Sequence, residues 1–340
     1  MKFAPANRIP SLDGLRALAI MLVIVGHLWG GMGAPVFLSA FGVHIFFVLS
    51  GYLITSLLQK EQAREGRINL LAFYQRRCFR IFPAAFAYIL IIAAVSPASR
   101  SGLIYAATYT VSYHPTGIPL FFQHLWSLSV EEQFYLLWPL ALVLGFRHRA
   151  RIAWFAMLAA AAFRLAVVLH PARYSVDYLH FSFFGTMDSI AAGCLLAIYE
   201  PWIHDRCKWM TESPAIAIAV PLTAWVVEVS FWGRMSVLWG AVPLLIAAWI
   251  FLLVERRDWI LNNRVASIIG ILSYSLYLWQ QPFAAHRTHG VALTLLMLVA
   301  CAAASYAFVE KPMLKLGGSM RSRKMHPQPA SATLAATAQE

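Results

Sequence analysis

Charge is what this sequence has least of. Only 12% of its 340 residues are Asp, Glu, Lys or Arg, and 60% are hydrophobic. Soluble domains carry about 25% charged residues, so soluble folds are set aside in favour of a polytopic membrane protein. Cysteine is sparse and unpatterned. Cys78, Cys194, Cys207 and Cys301 show no CxxC or metal-ligand spacing, so neither a disulfide framework nor a metal site is expected. P-loop, HExxH, GxSxG and Rossmann glycine patterns are all absent, which disfavours metal, nucleotide-hydrolysis and hydride chemistry. No internal repeat is visible. The net charge of +12 would point to nucleic acid in a soluble chain. In a membrane protein it marks cytoplasmic loops instead, and no nucleic-acid partner is expected.

Long apolar runs are what is present. They cover roughly residues 15–31, 36–58, 79–96, 124–145, 152–169, 179–199, 214–230, 236–254, 266–284 and 290–309. The expected fold is therefore an all-α membrane bundle of about ten transmembrane helices. Residues 102–112 are too short and polar for the 17–25 residues of a span, and are read as partial or re-entrant. Lys2 and Arg8 ahead of an apolar run imitate a signal peptide. Asp13, Arg16 and His27 intrude on that run and no A-x-A-like site follows, so it is read as a retained first span. With the N-terminus inside and ten alternating spans, 22 of the 27 Lys and Arg fall on the cytoplasmic side. Arg100, Arg173, Arg234 and Arg287 fall outside, and Arg164 within a span. The positive-inside rule thus favours both termini in the cytoplasm. Residues 59–80 read as a long basic loop, and 316–340 as a disordered cytoplasmic tail. No external soluble domain is expected.

Ionisable groups inside apolar spans are costly and mark function by default. Arg16 and His27 lie eleven residues apart in the first span. That spacing puts them on one helix face, about 16 Å apart along the axis. Arg77 and Arg80, at i and i+3, share a face at the cytoplasmic start of the third span. Two guanidiniums there suit bidentate phosphate binding, or contact with anionic lipid. The fourth span opens His124-Leu-Trp126-Ser127-Leu-Ser-Val-Glu131-Glu132-Gln-Phe-Tyr135. Its paired carboxylates must be partnered or protonated. Glu131 and Tyr135 share a face while Glu132 points elsewhere. His44 reads as interfacial, Ser50 and Gly51 as a close helix contact, and Asp188 as an isolated intramembrane acid. Ser273, Tyr274, Ser275, Tyr277, Gln280 and Gln281 read either as polar lining of a sugar-sized cavity or, for the aromatics, as anchors at the membrane interface. Glu310 reads as a helix-end or ion-pair residue.

Taken together, residues 8–315 resemble the acyltransferase type 3 family of membrane-bound acyltransferases. The matching elements run in order: Leu12-Asp-Gly-Leu-Arg16-Ala with His27, Phe46-Phe-Val-Leu-Ser-Gly-Tyr52, Arg77-Cys-Phe-Arg80-Ile-Phe-Pro83, the His124–Tyr135 run, Ser273-Tyr-Ser-Leu-Tyr-Leu278, and Glu310-Lys-Pro312. The resemblance implies transfer of an acyl group, usually acetyl, from cytoplasmic acyl-coenzyme A to a hydroxyl of a carbohydrate. No permanently bound cofactor is implied, and the location is the bacterial inner membrane. The family's functional motifs fall on Arg16, His27, Arg77 and Arg80. His27 is expected as general base or transient acyl carrier, with Glu131 or Glu132 fixing its tautomer. Arg16, Arg77, Arg80, Trp126, Ser127 and Tyr135 are expected to bind substrate. Exopolysaccharide and lipopolysaccharide are the expected acceptors, free or as a lipid-linked glycan. Larger members add a periplasmic hydrolase-like domain, so peptidoglycan is placed behind these. Small secreted acceptors (a macrolide, a Nod factor) and a transporter of glycan, lipid or acyl donor are the alternatives.

Overall fold

The computed structural model describes residues 10–29, 37–114, 117–170, 180–229, 240–256, 261–285 and 290–325. Among them every regular element is helical, with no strand. The long helices are α1 (Pro10–Trp29), α2 (Phe37–Glu65), α3 (Leu70–Val95), α4 (Leu125–Gly145), α5 (Arg149–Leu169), α6 (Phe183–Glu212), α7 (Pro214–Val229), α8 (Ala241–Arg256), α9 (Arg264–Ala285), α10 (Gly290–Ser305) and α11 (Lys311–Met325). Each expected apolar segment overlaps one of α1 to α10, and residues 30–31, 36, 179, 230 and 236–239 of these segments lie outside the described residues.

Five helical stretches are long and apolar enough to cross a membrane: α1, α2, α3, the run Leu120–Leu169, and Gly290–Gly318. The pair α6 and α7 adds a sixth if it counts as one span bent by 106°. The break has a local cause. Proline is tolerated at the first position of a helix, where its missing N–H costs nothing, and Pro214 begins α7 in that way. Pro214 also pushes Ser213 out of the helical region, to φ −92° and ψ 114°. Outward-facing Leu144, Phe155, Leu158 and Phe308 are exposed, as a lipid-covered surface requires. The described residues are thus those of an all-helical, multi-pass membrane protein.

Helix ends depart from the apolar boundaries. The expected loop at 59–80 is mostly helix. α2 continues to Glu65, the chain turns at Gly66 with φ 68°, and Asn69 caps α3 by accepting from the Ala72 amide at 2.9 Å. α6 likewise continues through residues 200–212. The first ten residues of the expected disordered tail, 316–325, belong to α11, while 326–340 lie outside the described residues. Residues 102–112 form only short helical pieces.

Close backbone contact sets the packing. Gly51 of α2 and Gly193 of α6 face one another, and a Cβ on either would overlap the opposing backbone at Ile190 or Val48. Gly14 of α1 and Gly270 of α9 are equally crowded, against the backbone of Leu261 and of Asp13. Small residues permit such approach where no hydrophobic drive joins helices in lipid. α1 is thereby held between α2 and α9. Asp188 is not isolated. Arg164 of α5 donates to its Oδ2 at 2.7 Å and to the Gly185 carbonyl at 2.8 Å, fully buried. His44 is not merely interfacial, since its Nδ1 lies 2.8 Å from Ser189 Oγ across the α2–α6 contact. The four cysteines are free.

Candidate active site

Alternating chain direction sorts the functional residues to two ends of the bundle. The start of α1, the start of α3 and the middle of α4 meet at one end. The end of α1, the start of α4 and the end of α9 meet at the other.

The first end holds a cavity of about 90 Å³ that opens to the surface. Arg16, Arg77 and Arg80 line it together with Glu131, Tyr135 and Ser127. The i, i+3 spacing on α3 turns Arg77 and Arg80 to the same side. Arg77 lies over the Tyr135 ring at 5.0 Å and the Phe73 ring at 5.6 Å. Among the described residues neither Arg77 nor Arg80 has a carboxylate within ion-pair distance. Arg16 reaches Asp13 Oδ1 at 3.4 Å. Glu131 accepts hydrogen bonds from the Ser50 and Tyr135 hydroxyls. Its carboxylate is thereby fixed on the cavity wall within electrostatic reach of Arg77. Three cations line one pocket, two of them without a carboxylate partner among the described residues, an arrangement whose charge suits a polyanion.

The ninth apolar segment, α9, contributes Ser273, Tyr274 and Tyr277 to the same wall. Tyr274 donates to the Ile81 carbonyl at 2.8 Å, tying α9 to α3. Ser275 donates to Glu310, which is buried and within electrostatic reach of Arg80. Glu310 closes a π-helical turn, Tyr306–Glu310, a distortion common at functional sites. Three expected residues, Trp126, Glu132 and His27, do not line the cavity. Trp126 packs edge-on to Phe47 at 5.9 Å. Glu132 lies within electrostatic reach of Arg77, Cys78, Tyr109 and Tyr274, with one carboxylate oxygen buried and unpartnered among the described residues.

His27 sits at the second end. Its Nδ1 lies 2.9 Å from the Val23 carbonyl. A carbonyl only accepts, so Nδ1 carries the hydrogen and Nε2 presents a lone pair. This corrects the expected arrangement: the preceding turn of α1, not Glu131 or Glu132, fixes the tautomer. Glu131 is engaged with Ser50 and Tyr135 instead. The group near His27 that the sequence pattern does not single out is His124, which lies within its electrostatic reach. Tyr277 connects the two ends. Its hydroxyl donates to the His124 carbonyl at 2.7 Å, and it pairs with Ser127 on the cavity wall.

Known proteins are similar to the chain over nearly its whole length. Residues 9–309 match the acyltransferase domain of the type 3 acyltransferase family. The chain is 31% identical to O-acetyltransferase OatA of Staphylococcus aureus (strain NCTC 8325 / PS 47), over 91% of this chain and 58% of that protein. It is 30% identical to the putative peptidoglycan O-acetyltransferase YrhL of Bacillus subtilis (strain 168), over 93% of this chain and 56% of that one. It is 32% identical to the putative O-acetyltransferase SACOL0978 of Staphylococcus aureus (strain COL), over 82% and 51%. The chain thus spans slightly more than half the length of these relatives. No solved structure matches it. The fold and the site define a multi-pass helical bundle with a basic cavity. This chain belongs to the type 3 acyltransferase family.

Proposed function

We propose that this protein transfers an acyl group, acetyl in the first instance, from acyl-coenzyme A to a hydroxyl of a cell-surface carbohydrate. The observation that carries this reading is the convergence of Arg16, Arg77 and Arg80 on one cavity. Coenzyme A brings several phosphates, and planar guanidiniums bind such groups bidentately. The donor's extended arm then carries the thioester along the bundle toward His27, past Ser127 and Tyr277.

In the chemical step His27 Nε2 takes the proton of the acceptor hydroxyl. The freed oxygen adds to the thioester carbonyl, and the tetrahedral intermediate collapses with cleavage of the carbon–sulfur bond. The leaving thiolate takes the proton back from the imidazolium. One ester forms, one thioester breaks, and free coenzyme A departs. Exopolysaccharide, lipopolysaccharide and peptidoglycan are the acceptors of this reading. The YrhL relative, a putative peptidoglycan O-acetyltransferase, brings peptidoglycan, placed behind the other two on sequence, level with them. The orientation that goes with it has ten spans, both termini in the cytoplasm and the bacterial inner membrane as site. The count of 22 basic residues on the cytoplasmic side supports it.

The test uses the purified protein in proteoliposomes with labelled acetyl-coenzyme A and envelope glycan from a strain lacking the gene. Arg77→Ala should raise KM for the donor roughly 10–100-fold, the loss of one or two charge-assisted hydrogen bonds. His27→Ala should abolish transfer while the protein still inserts. A donor KM unchanged by Arg77→Ala removes the coenzyme A assignment.

A further inference from the structure

Buried polar atoms without partners gather on His124 and on three consecutive residues of α9. His124 Nδ1, Trp279 Nε1, both amide atoms of Gln280 and Gln281 Oε1 are all buried and unbonded among the described residues. Native interiors leave few such atoms, and each calls for a missing partner. His124 is 3% exposed and Gln280 1%.

A proline explains how His124 is set. Pro282 has no N–H, so the carbonyl four residues earlier, Leu278, loses its helical donor. His124 Nε2 lies 3.2 Å from that carbonyl. Nε2 therefore carries the hydrogen, and Nδ1 is left as a buried lone pair. His27 Nε2 is a lone pair for the parallel reason on α1. Two imidazoles in electrostatic reach thus each require a hydrogen-bond donor that neither supplies to the other. Gln280 approaches His27 without closing a hydrogen bond of good geometry. Its amide N–H groups are free to donate.

We propose that His124 and Gln280 complete the acceptor site around His27, and that this site is built for neighbouring hydroxyls of a sugar. This rests on the acyl-transfer reading above. One hydroxyl donates to His27 Nε2 and loses its proton there. An adjacent hydroxyl donates to His124 Nδ1 and fixes the ring. Gln280 Nε2 donates to the thioester oxygen as it becomes negative. A polyol supplies both donors, whereas an acceptor with a lone hydroxyl leaves His124 unsatisfied. That difference gives selectivity for carbohydrate over a simple alcohol.

The test separates function from folding through the choice of variant. Gln280→Leu removes the amide and leaves no polar atom to satisfy. A native protein whose only use for Gln280 is ligand binding should unfold at the same or higher temperature after this change. Its donor KM should stay within about twofold and its kcat fall about 100-fold or more, as for loss of an oxyanion donor. His124→Gln places an amide nitrogen near the Nε2 position, which keeps a donor for Leu278 and loses the Nδ1 lone pair. It should raise the acceptor KM about tenfold or more with the donor KM unchanged. The assay uses full-length protein in proteoliposomes, labelled acetyl-coenzyme A and envelope glycan from the deletion strain. A Gln280→Leu protein with wild-type kcat overturns the proposal. So does a fall in unfolding temperature that tracks the activity loss, because the unpartnered atoms then hold a structural water. If wild type transfers no label, the acyl-transfer reading itself has failed, and that result is visible before any variant is made.

Discussion

Glu131 is held by two hydroxyls, Ser50 and Tyr135, beside the guanidinium of Arg77. Glu131→Gln keeps the size of the side chain but turns one accepting oxygen into a donating nitrogen. Both hydroxyls donate to one oxygen, Oε1, which the amide retains, so the change removes the charge that strengthens both hydrogen bonds. The cost should be about 1–3 kcal/mol, read as a lower unfolding temperature in detergent. An unshifted transition would show that Glu131 does not hold this wall together. At this scale the sequence was informative where chemistry is local. Arg16, Arg77, Arg80, Ser127, Glu131 and Tyr135 were singled out from spacing and family motifs, and all six line one cavity. The tautomer of His27 was missed because its partner is a backbone carbonyl, which no side-chain pattern announces. His124 and Gln280 were missed as a pair because more than 150 residues separate them. One signal was available: Pro282 frees the Leu278 carbonyl, and a freed carbonyl in a membrane needs a donor.

The α5–α6 contact depends on a fully buried ion pair, Arg164 with Asp188. Removing one partner strands a charge, so Asp188→Ala should cost about 3–5 kcal/mol. The double change Arg164→Met with Asp188→Leu should recover most of that loss, measured by thermal unfolding. If the double variant is as unstable as the single one, the pair is not the source of the effect. The α2–α6 contact depends on Gly51 and Gly193. Gly51→Leu has no space against the Ile190 backbone and should abolish the monodisperse peak in size-exclusion chromatography. A normal peak would mean that the two helices are further apart than described. Element existence was legible because each apolar run is long and continuous. Element ends were not. Helices α2 and α6 continue past their apolar segments, and backbone hydrogen bonding does not stop where the side chains become polar. Asp188 was read as isolated because its partner lies on another helix, 24 residues away.

The described helices form one bundle whose chain reversals put cations at one end and histidines at the other. That arrangement suits a donor and an acceptor arriving from opposite sides. The orientation makes its own prediction. A reporter fused after Arg149 should report the cytoplasm, since residues 147–151 follow the fourth of the ten proposed spans. An external signal there would shift every later segment and break the charge bias. The bundle itself was legible from scarce charge and ten apolar runs. The cavity was not, because it forms between α1, α2, α3, α4 and α9, and contacts among distant helices leave no trace in local pattern.

The most direct test is mass spectrometry of envelope glycans from a strain lacking this gene, complemented with wild type or with His27→Ala. The account predicts that acetyl groups are lost in the deletion strain and restored by wild type alone, and the restored ester identifies the acceptor. Identical glycans in all strains, or restoration by His27→Ala, would contradict it.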